Sequence, residues 1–344
     1  MHGDDYMGLG LRSQLLDFAQ KLDKHLIVKV RGILGPKKTD LKEIILLNRL
    51  LTWHDGSAGK PDYLTWEGDK RHVEVLCSQL GIQPNSNGRA TPADKSRFNK
   101  FHPLTGDELP ARETRKYKSG CMRANFIALD RPDIQYVSKE LARAMTKPSV
   151  FAMEHLKHLA RYLTKHPRLV WKFARQHLPI HVDAFADSNW AGCPVTRKST
   201  TCCVLALGGH CLSTASFTQA VISLSSAEAE YYAMVKTACR LIGMIHLLRD
   251  IGCEFKSRLW SDSSADIGIA CRRGASGVRH VETQTLWLQQ QVARRKLEVK
   301  KKAGKLNIAD IGTKVLAESD MTRLCSSVSL LFTDSRNLSR PTTT

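Results

Sequence analysis

The pattern of apolar and polar positions changes character near residue 179. Beyond it, short apolar runs at 180–186, 201–207, 210–215 and 220–224 predict successive strands, with Gly208-Gly209 as a tight turn between the second and third. Residues 226–251 follow a long helical pattern, with Ser225 or Ser226 as N-cap and Glu228 in the first turn. A strand at 255–261, helices at 265–271, 282–294 and 308–315, and a strand at 296–302 complete this half.

Before residue 179 the pattern is mainly helical. Residues 11–34 predict a helix, on the apolar stripe Leu15, Leu16, Phe18 and Leu22, followed by an alternating strand from Leu26. Gly35-Pro36 breaks it, residues 41–53 form a buried strand or a short helix, and 55–61 form a turn or loop. An amphipathic helix is expected at 68–82 and a surface loop at 83–112. Residues 113–165 read as helical throughout, in segments 122–128, 134–145 and 150–163 bounded by Pro132 and Pro148. A linker follows at 165–177. At the other end, 319–344 read as a poorly ordered tail.

Composition narrows the partner. Lys and Arg outnumber Asp and Glu by 52 to 33 in 344 residues, and a charge of +19 predicts a polyanion, most simply nucleic acid. The ten cysteines contain no Cys-x-x-Cys pair, and His155 and His158 do not have zinc-ligand spacing. Reduced thiols are therefore expected, and with them an intracellular setting, cytoplasmic or nuclear. The basic stretch 294–302 reads as a nuclear-import patch or a solvated strand edge. No run is apolar for long enough to span a membrane.

Four acids carry the candidate chemistry: Asp187 and Asp262 at strand ends, Glu230 in the long helix and Asp310 at the start of the last one. Magnesium prefers hard oxygen ligands, and two such ions can stabilise the attacking and leaving oxygens of a phosphodiester displacement. So much positive charge calls for several carboxylates on rigid elements. Singly, each acid also suits a solvated surface position, and Glu228 suits support of the helix N-terminus.

The stretch Ala186-Asp187-Ser188-Asn189-Trp190-Ala191-Gly192, the basic Arg197-Lys198, the helix start Leu224-Ser225-Ser226-Ala227-Glu228-Ala229-Glu230-Tyr231, Asp262, and Ala309-Asp310-Ile311-Gly312-Thr313-Lys314 stand in the order of a known family. Together they resemble the ribonuclease H domain of copia-type retrotransposon Pol polyproteins. The resemblance implies an α/β ribonuclease H-like fold, a mixed five-stranded sheet flanked by helices. It further implies that Asp187, Glu230, Asp262 and Asp310 bind two Mg²⁺, or Mn²⁺, and that the partner is an RNA–DNA hybrid. His280, within Arg279-His280-Val281-Glu282, and Glu228 are auxiliary candidates, and Arg197, Lys198, Arg272 and Arg273 are candidate phosphate contacts. Asn189 stands where the family has a second Asp, Cys202 where it has Gly, Thr214 where it has Trp, and Phe217-Thr218 where it has a Lys pair.

At the start of the chain, His2-Gly3-Asp4-Asp5-Tyr6 resembles the metal-binding hairpin of reverse transcriptase, with Asp4 and Asp5 as a relic polymerase site. Tyr117-Lys118-Ser119-Gly120, Arg131-Pro132-Asp133-Ile134 and Lys147-Pro148-Ser149 continue the resemblance. The division it implies is 1–60 as the truncated end of a polymerase palm, 61–175 as a largely helical thumb or connection region, 176–318 as the ribonuclease H-like domain and 319–344 as tail. A polymerase would need residues upstream of Met1, so synthesis is not expected from this chain, and the missing polymerase portion is an expected partner. Four readings stay open: a hybrid-cutting nuclease, an inactive remnant that still binds nucleic acid, another nuclease or integrase on the same fold, and a structural subunit that docks a partner polymerase.

Overall fold

The structure is a computed structural model and describes residues 7–57, 59–83, 86–98, 106–274 and 286–333. Helix α1 (Arg12–Asp23) has no buried residue. The alternation at 26–31 does not become a strand: Ile27 is fully exposed and no neighbouring strand pairs with it. An alternating pattern has no reason to become β-structure without a partner for its backbone groups. Strands β1 (Glu43–Leu46) and β2 (Arg49–His54) form a hairpin across Leu47 and Asn48, both at positive φ. That left-handed pair is what a two-residue hairpin turn requires.

Strand β3 (Tyr63–Gly68) pairs with β2, and β4 (Arg168–Ala174) pairs with β3 in antiparallel register, Trp66 opposite Trp171. The expected linker at 165–177 is thus a central strand of a sheet. Between β3 and β4 lies a helical layer: α2 (Arg71–Gln79), the short α3 (Lys95–Phe98), α4 (Ala111–Ile127), α5 (Gln135–Arg143) and α6 (Val150–Lys165). Their core includes Leu76, Tyr117, Leu141, Leu156 and Leu163, all essentially without solvent exposure. Ser149 caps α6, its hydroxyl accepting from the Ala152 amide.

The second sheet takes β5 (His181–Asn189), β6 (Thr200–Leu207), β7 (His210–Thr218), β8 (Lys256–Ser261) and β9 (Glu298–Lys301) in the order β7-β6-β5-β8-β9. The first three are antiparallel neighbours, whereas β8 and β9 join in parallel. Residues 220–224, expected as a strand, are loop, with Ile222 and Leu224 exposed. Helix α7 (Ser226–Asp250) crosses β5, β6 and β8 and buries Tyr231, Met234, Ala238 and Leu241 against them. Helices α8 (Ser264–Cys271) and α9 (Trp287–Ala293) pack on the same side.

Residues 319–333 are not a disordered tail. Helix α10 (Glu318–Ser326) buries Met321, Leu324 and Cys325, and β10 (Leu330–Thr333) adds to β4 at the edge of the first sheet. These side chains close a core with Leu169 of β4 and Phe185, Val204 and Cys211 of the second sheet. The main chain is tied in as well: the Cys211 amide donates to the Val328 carbonyl at 3.0 Å and the Ser329 hydroxyl to the Gly209 carbonyl at 2.8 Å. Apolar residues at helical spacing, with a core to enter, outweigh the polar composition around them.

Candidate active site

Asp187 ends the buried part of β5, and its register partner on β6 is Cys202. Parallel pairing of β5 with β8 carries the end of β8 to the same edge, so Asp262, one residue past Ser261, arrives beside it. Helix α7 begins over that edge. Ser225 caps it, accepting from the Glu228 amide at 3.2 Å, and Glu230 lies one turn in. Ligand oxygens of Asp187, Glu230 and Asp262 all lie within 4.8 Å of one another.

Hydrogen bonds orient the acids. Thr313 donates its hydroxyl to Asp187 Oδ2 at 2.5 Å, and the Ser188 amide donates to Glu230 Oε1 at 3.3 Å. The other Glu230 oxygen, Oε2, is buried with no hydrogen-bond partner. Burial, then the charge of Asp310, pushes Asp187 up from the usual carboxylate range. Burial, then the charge of Asp187, does the same to Glu230, and burial raises Asp262.

Asp310 stands apart from the compact set. It lies on a 3₁₀ turn, Ile308–Gly312, rather than opening an α-helix, and its Oδ1 is held by Lys314 Nζ at 2.6 Å. It is outside the 4.8 Å group, although its charge reaches Asp187 and Asp262. Asn307 anchors the turn: its Oδ1 accepts from the Ala309 amide and its Nδ2 donates to the Ala186 carbonyl at 2.9 Å, next to Asp187. Two glycines allow the close approach. A Cβ on Gly304 would meet Asp262 Oδ2 at 2.9 Å, and one on Gly312 would meet Cys202 Sγ at 2.5 Å. Cys202, where the family has Gly, therefore fills the space opposite Gly312.

The remaining candidates separate. Glu228 is buried and its Oε2 accepts from the Leu224 amide at 2.9 Å, so it caps α7 and takes no place in the acid group. His280 lies outside the described residues, as do Asp4 and Asp5. Arg197, exposed and at positive φ, and the half-buried Lys198 sit on the loop after β5, at the carboxylate end of the sheet. Arg272 and Arg273 follow α8, at the far end of this eight-residue helix, about 12 Å long, from Asp262. Phe217, in place of a lysine, is flanked by cations, with Lys236 Nζ 5.4 Å and Arg240 Cζ 5.7 Å from its ring centre.

Sequence reasoning did not single out Asp266, Asn307, Thr313 or Lys314 individually. Asp266 is fully buried, accepts from the Ser261 hydroxyl at 2.6 Å, and is pushed up to about 6 by burial. The ten cysteines are free, and no helix among the described residues is long and apolar enough to cross a membrane.

A mixed sheet with three antiparallel strands continued by two parallel ones, crossed by a long helix and carrying acids at one edge, defines a ribonuclease H-like α/β fold. No family model matches the chain. An uncharacterized mitochondrial protein of Arabidopsis thaliana is 35% identical over 116 residues, 34% of this chain and 48% of that protein. The retrovirus-related Pol polyprotein from transposon TNT 1-94 of Nicotiana tabacum is 25% identical over 299 residues, 86% of this chain and 22% of that polyprotein. Among solved structures, LC11-RNase H1 isolated from compost aligns with 39% of this chain and 93% of its own, at 17% identity and a TM-score of 0.28. The chain spans about half the length of the first of these relatives and about a fifth of the second. It is also similar over part of its length to the retrovirus-related Pol polyproteins from transposons RE1 and RE2 of Arabidopsis thaliana, 31% identical over 127 residues and 29% over 165.

Proposed function

We propose that the chain is a metal-dependent ribonuclease H that cuts the RNA strand of RNA–DNA hybrids endonucleolytically. The observation that carries this reading is the meeting of Asp187, Glu230 and Asp262 within 4.8 Å at one sheet edge. The donor set fits a hard divalent cation. It is all carboxylate oxygen, and it leaves Glu230 Oε2 buried and unpartnered. Asp187, Glu230 and Asp262 would hold Mg²⁺ or Mn²⁺, with Asp310 available at the rim for a second ion. When bound, such ions activate a water and stabilise the departing 3′-oxygen.

The chain's own residues prepare the site. Thr313 and the Ser188 amide fix the rotamers of Asp187 and Glu230, and Asn307 locks the Asp310 turn onto β5. Because Asp187 and Glu230 bind protons more readily than free carboxylates, ion binding is coupled to proton release there. Arg197, exposed, and Lys198, half-buried, would contact phosphates along a hybrid read through its backbone and 2′-hydroxyls. In the same reading, the region before residue 176 is the end of a polymerase palm with its thumb or connection, and the rest of a polymerase is the protein partner.

The test is cleavage of an RNA-labelled hybrid in Mg²⁺ by wild type, Asp187→Asn and Asp262→Asn. Cutting by wild type alone supports the proposal. Negligible cutting by all three, with hybrid binding retained, leaves a nucleic-acid-binding protein instead. Cleavage of duplex DNA ends would indicate another nuclease on the same fold.

A further inference from the structure

Among the described residues, Lys314 is the one lysine or arginine in an ion pair with any of the four acids. Its ammonium bonds Asp310 at 2.6 Å, and its side chain is 45% exposed while Asp310 is 17% exposed. It follows Thr313, whose hydroxyl bonds Asp187, so one dipeptide addresses both the inner set and the outlying acid. The carboxylates of Asp187 and Asp262 also act on the ammonium. Burial alone would lower its proton affinity, and the bond to Asp310 with these charges raises it instead. Asp310 points its Oδ1 at this lysine while the other three acids converge on one another.

From this geometry we infer that Lys314 is a resident counter-cation, holding Asp310 away from the inner acids and competing with divalent ions for the site. The inference rests on the reading that Asp187, Glu230 and Asp262 bind a divalent ion. A long, half-exposed side chain can leave Asp310 without disturbing the core, since its stem is not enclosed. Removing its charge leaves Asp310 free to turn toward an incoming ion and removes the repulsion that ion meets. A unit charge a few ångströms from a partly exposed ion is worth roughly tenfold in affinity.

The experiment is Mn²⁺ titration of the full chain, with free Mn²⁺ counted by electron paramagnetic resonance. It compares wild type, Lys314→Met, Lys314→Gln, Lys314→Arg and Asp187→Asn, each checked for folding by circular dichroism. Both charge-removing variants are expected to bind Mn²⁺ about tenfold more tightly, or to take up an additional ion, while Lys314→Arg stays near wild type. Equal or weaker binding by Lys314→Met and Lys314→Gln, with binding still lost in Asp187→Asn, overturns the role of Lys314 and leaves the metal site standing. Binding unaffected by Asp187→Asn, or absent from every variant, overturns the metal site itself and this inference with it.

Discussion

The two sheets have the same number of strands and opposite relations to the sequence. In the second sheet, β6 is buried along nearly its whole length, and its neighbours alternate against α7 on one face and the 3₁₀ turn and α10 on the other. In the first, every residue of β3 is half-buried, so neither face is fully covered, and cross-strand pairs such as Trp66 with Trp171 hold it together. A sheet enclosed on both faces can position charged groups at its edge within tenths of an ångström. The first sheet is covered only in places, at Leu50, Leu51, Leu169 and Leu330, and its strands β4 and β10 depend on partners far away in sequence. The carboxylates sit on the enclosed one.

The largest expected effect tests that contrast directly. Asp187→Asn or Asp262→Asn should reduce hybrid cleavage by roughly a thousandfold, as expected for loss of a ligand to a catalytic ion, while circular dichroism shows the fold retained. Next is the segment that joins the sheets. Leu330→Ala, at a position with no exposure, should cost about 2–5 kcal/mol. If the sheets form one cooperative unit, urea melts of this variant followed by tryptophan fluorescence and by circular dichroism stay coincident; separate transitions would show that the first sheet unfolds alone.

Asn307→Ala removes two buried hydrogen bonds at the Asp310 turn and should cost about 2 kcal/mol in a denaturant melt, with weakened Mn²⁺ binding because Asp310 loses its anchor. The pH dependence has a definite sign. Asp187 and Glu230 titrate above their unfolded values, so the folded chain holds protons that the unfolded chain has released. Without divalent ions their contribution is fully favourable below about pH 4 and is lost as pH rises toward the raised folded values. Melting temperature in chelator should therefore fall between pH 5 and 8, and Asp187→Asn should flatten that fall. The smallest effect concerns the basic loop: Arg197→Ala and Lys198→Ala should weaken hybrid binding modestly and lower the salt slope by about one each, whatever the hybrid's sequence.

The pattern of residues was legible where structure is local or enclosed. Helix α7 with its Ser225 cap, the β6–β7 turn at Gly208-Gly209, and the strand before Asp262 lie close to their expected positions. Strand β4 was not legible, because Arg168, Trp171, Lys172 and Phe173 alternate too weakly to mark a face, and the strand exists by pairing with β3 and β10. Residues 319–333 differ from the expected tail for the same reason, since the partners of β10, Arg168 to Trp171, lie some 160 positions earlier.

Sequence alone determined the identities and order of the acids and the helix and strand that carry Glu230 and Asp187, because those depend on local pattern and capping. Only the tertiary structure decided which acids meet. Parallel pairing of β8 with β5 brought Asp262 to Asp187, and the Asn307 anchor set the Asp310 turn beside them. The Lys314–Asp310 pair and the Glu228 cap, by contrast, join residues only four apart, and what the fold decided was their place beside the inner acids, since that depends on strands distant in sequence.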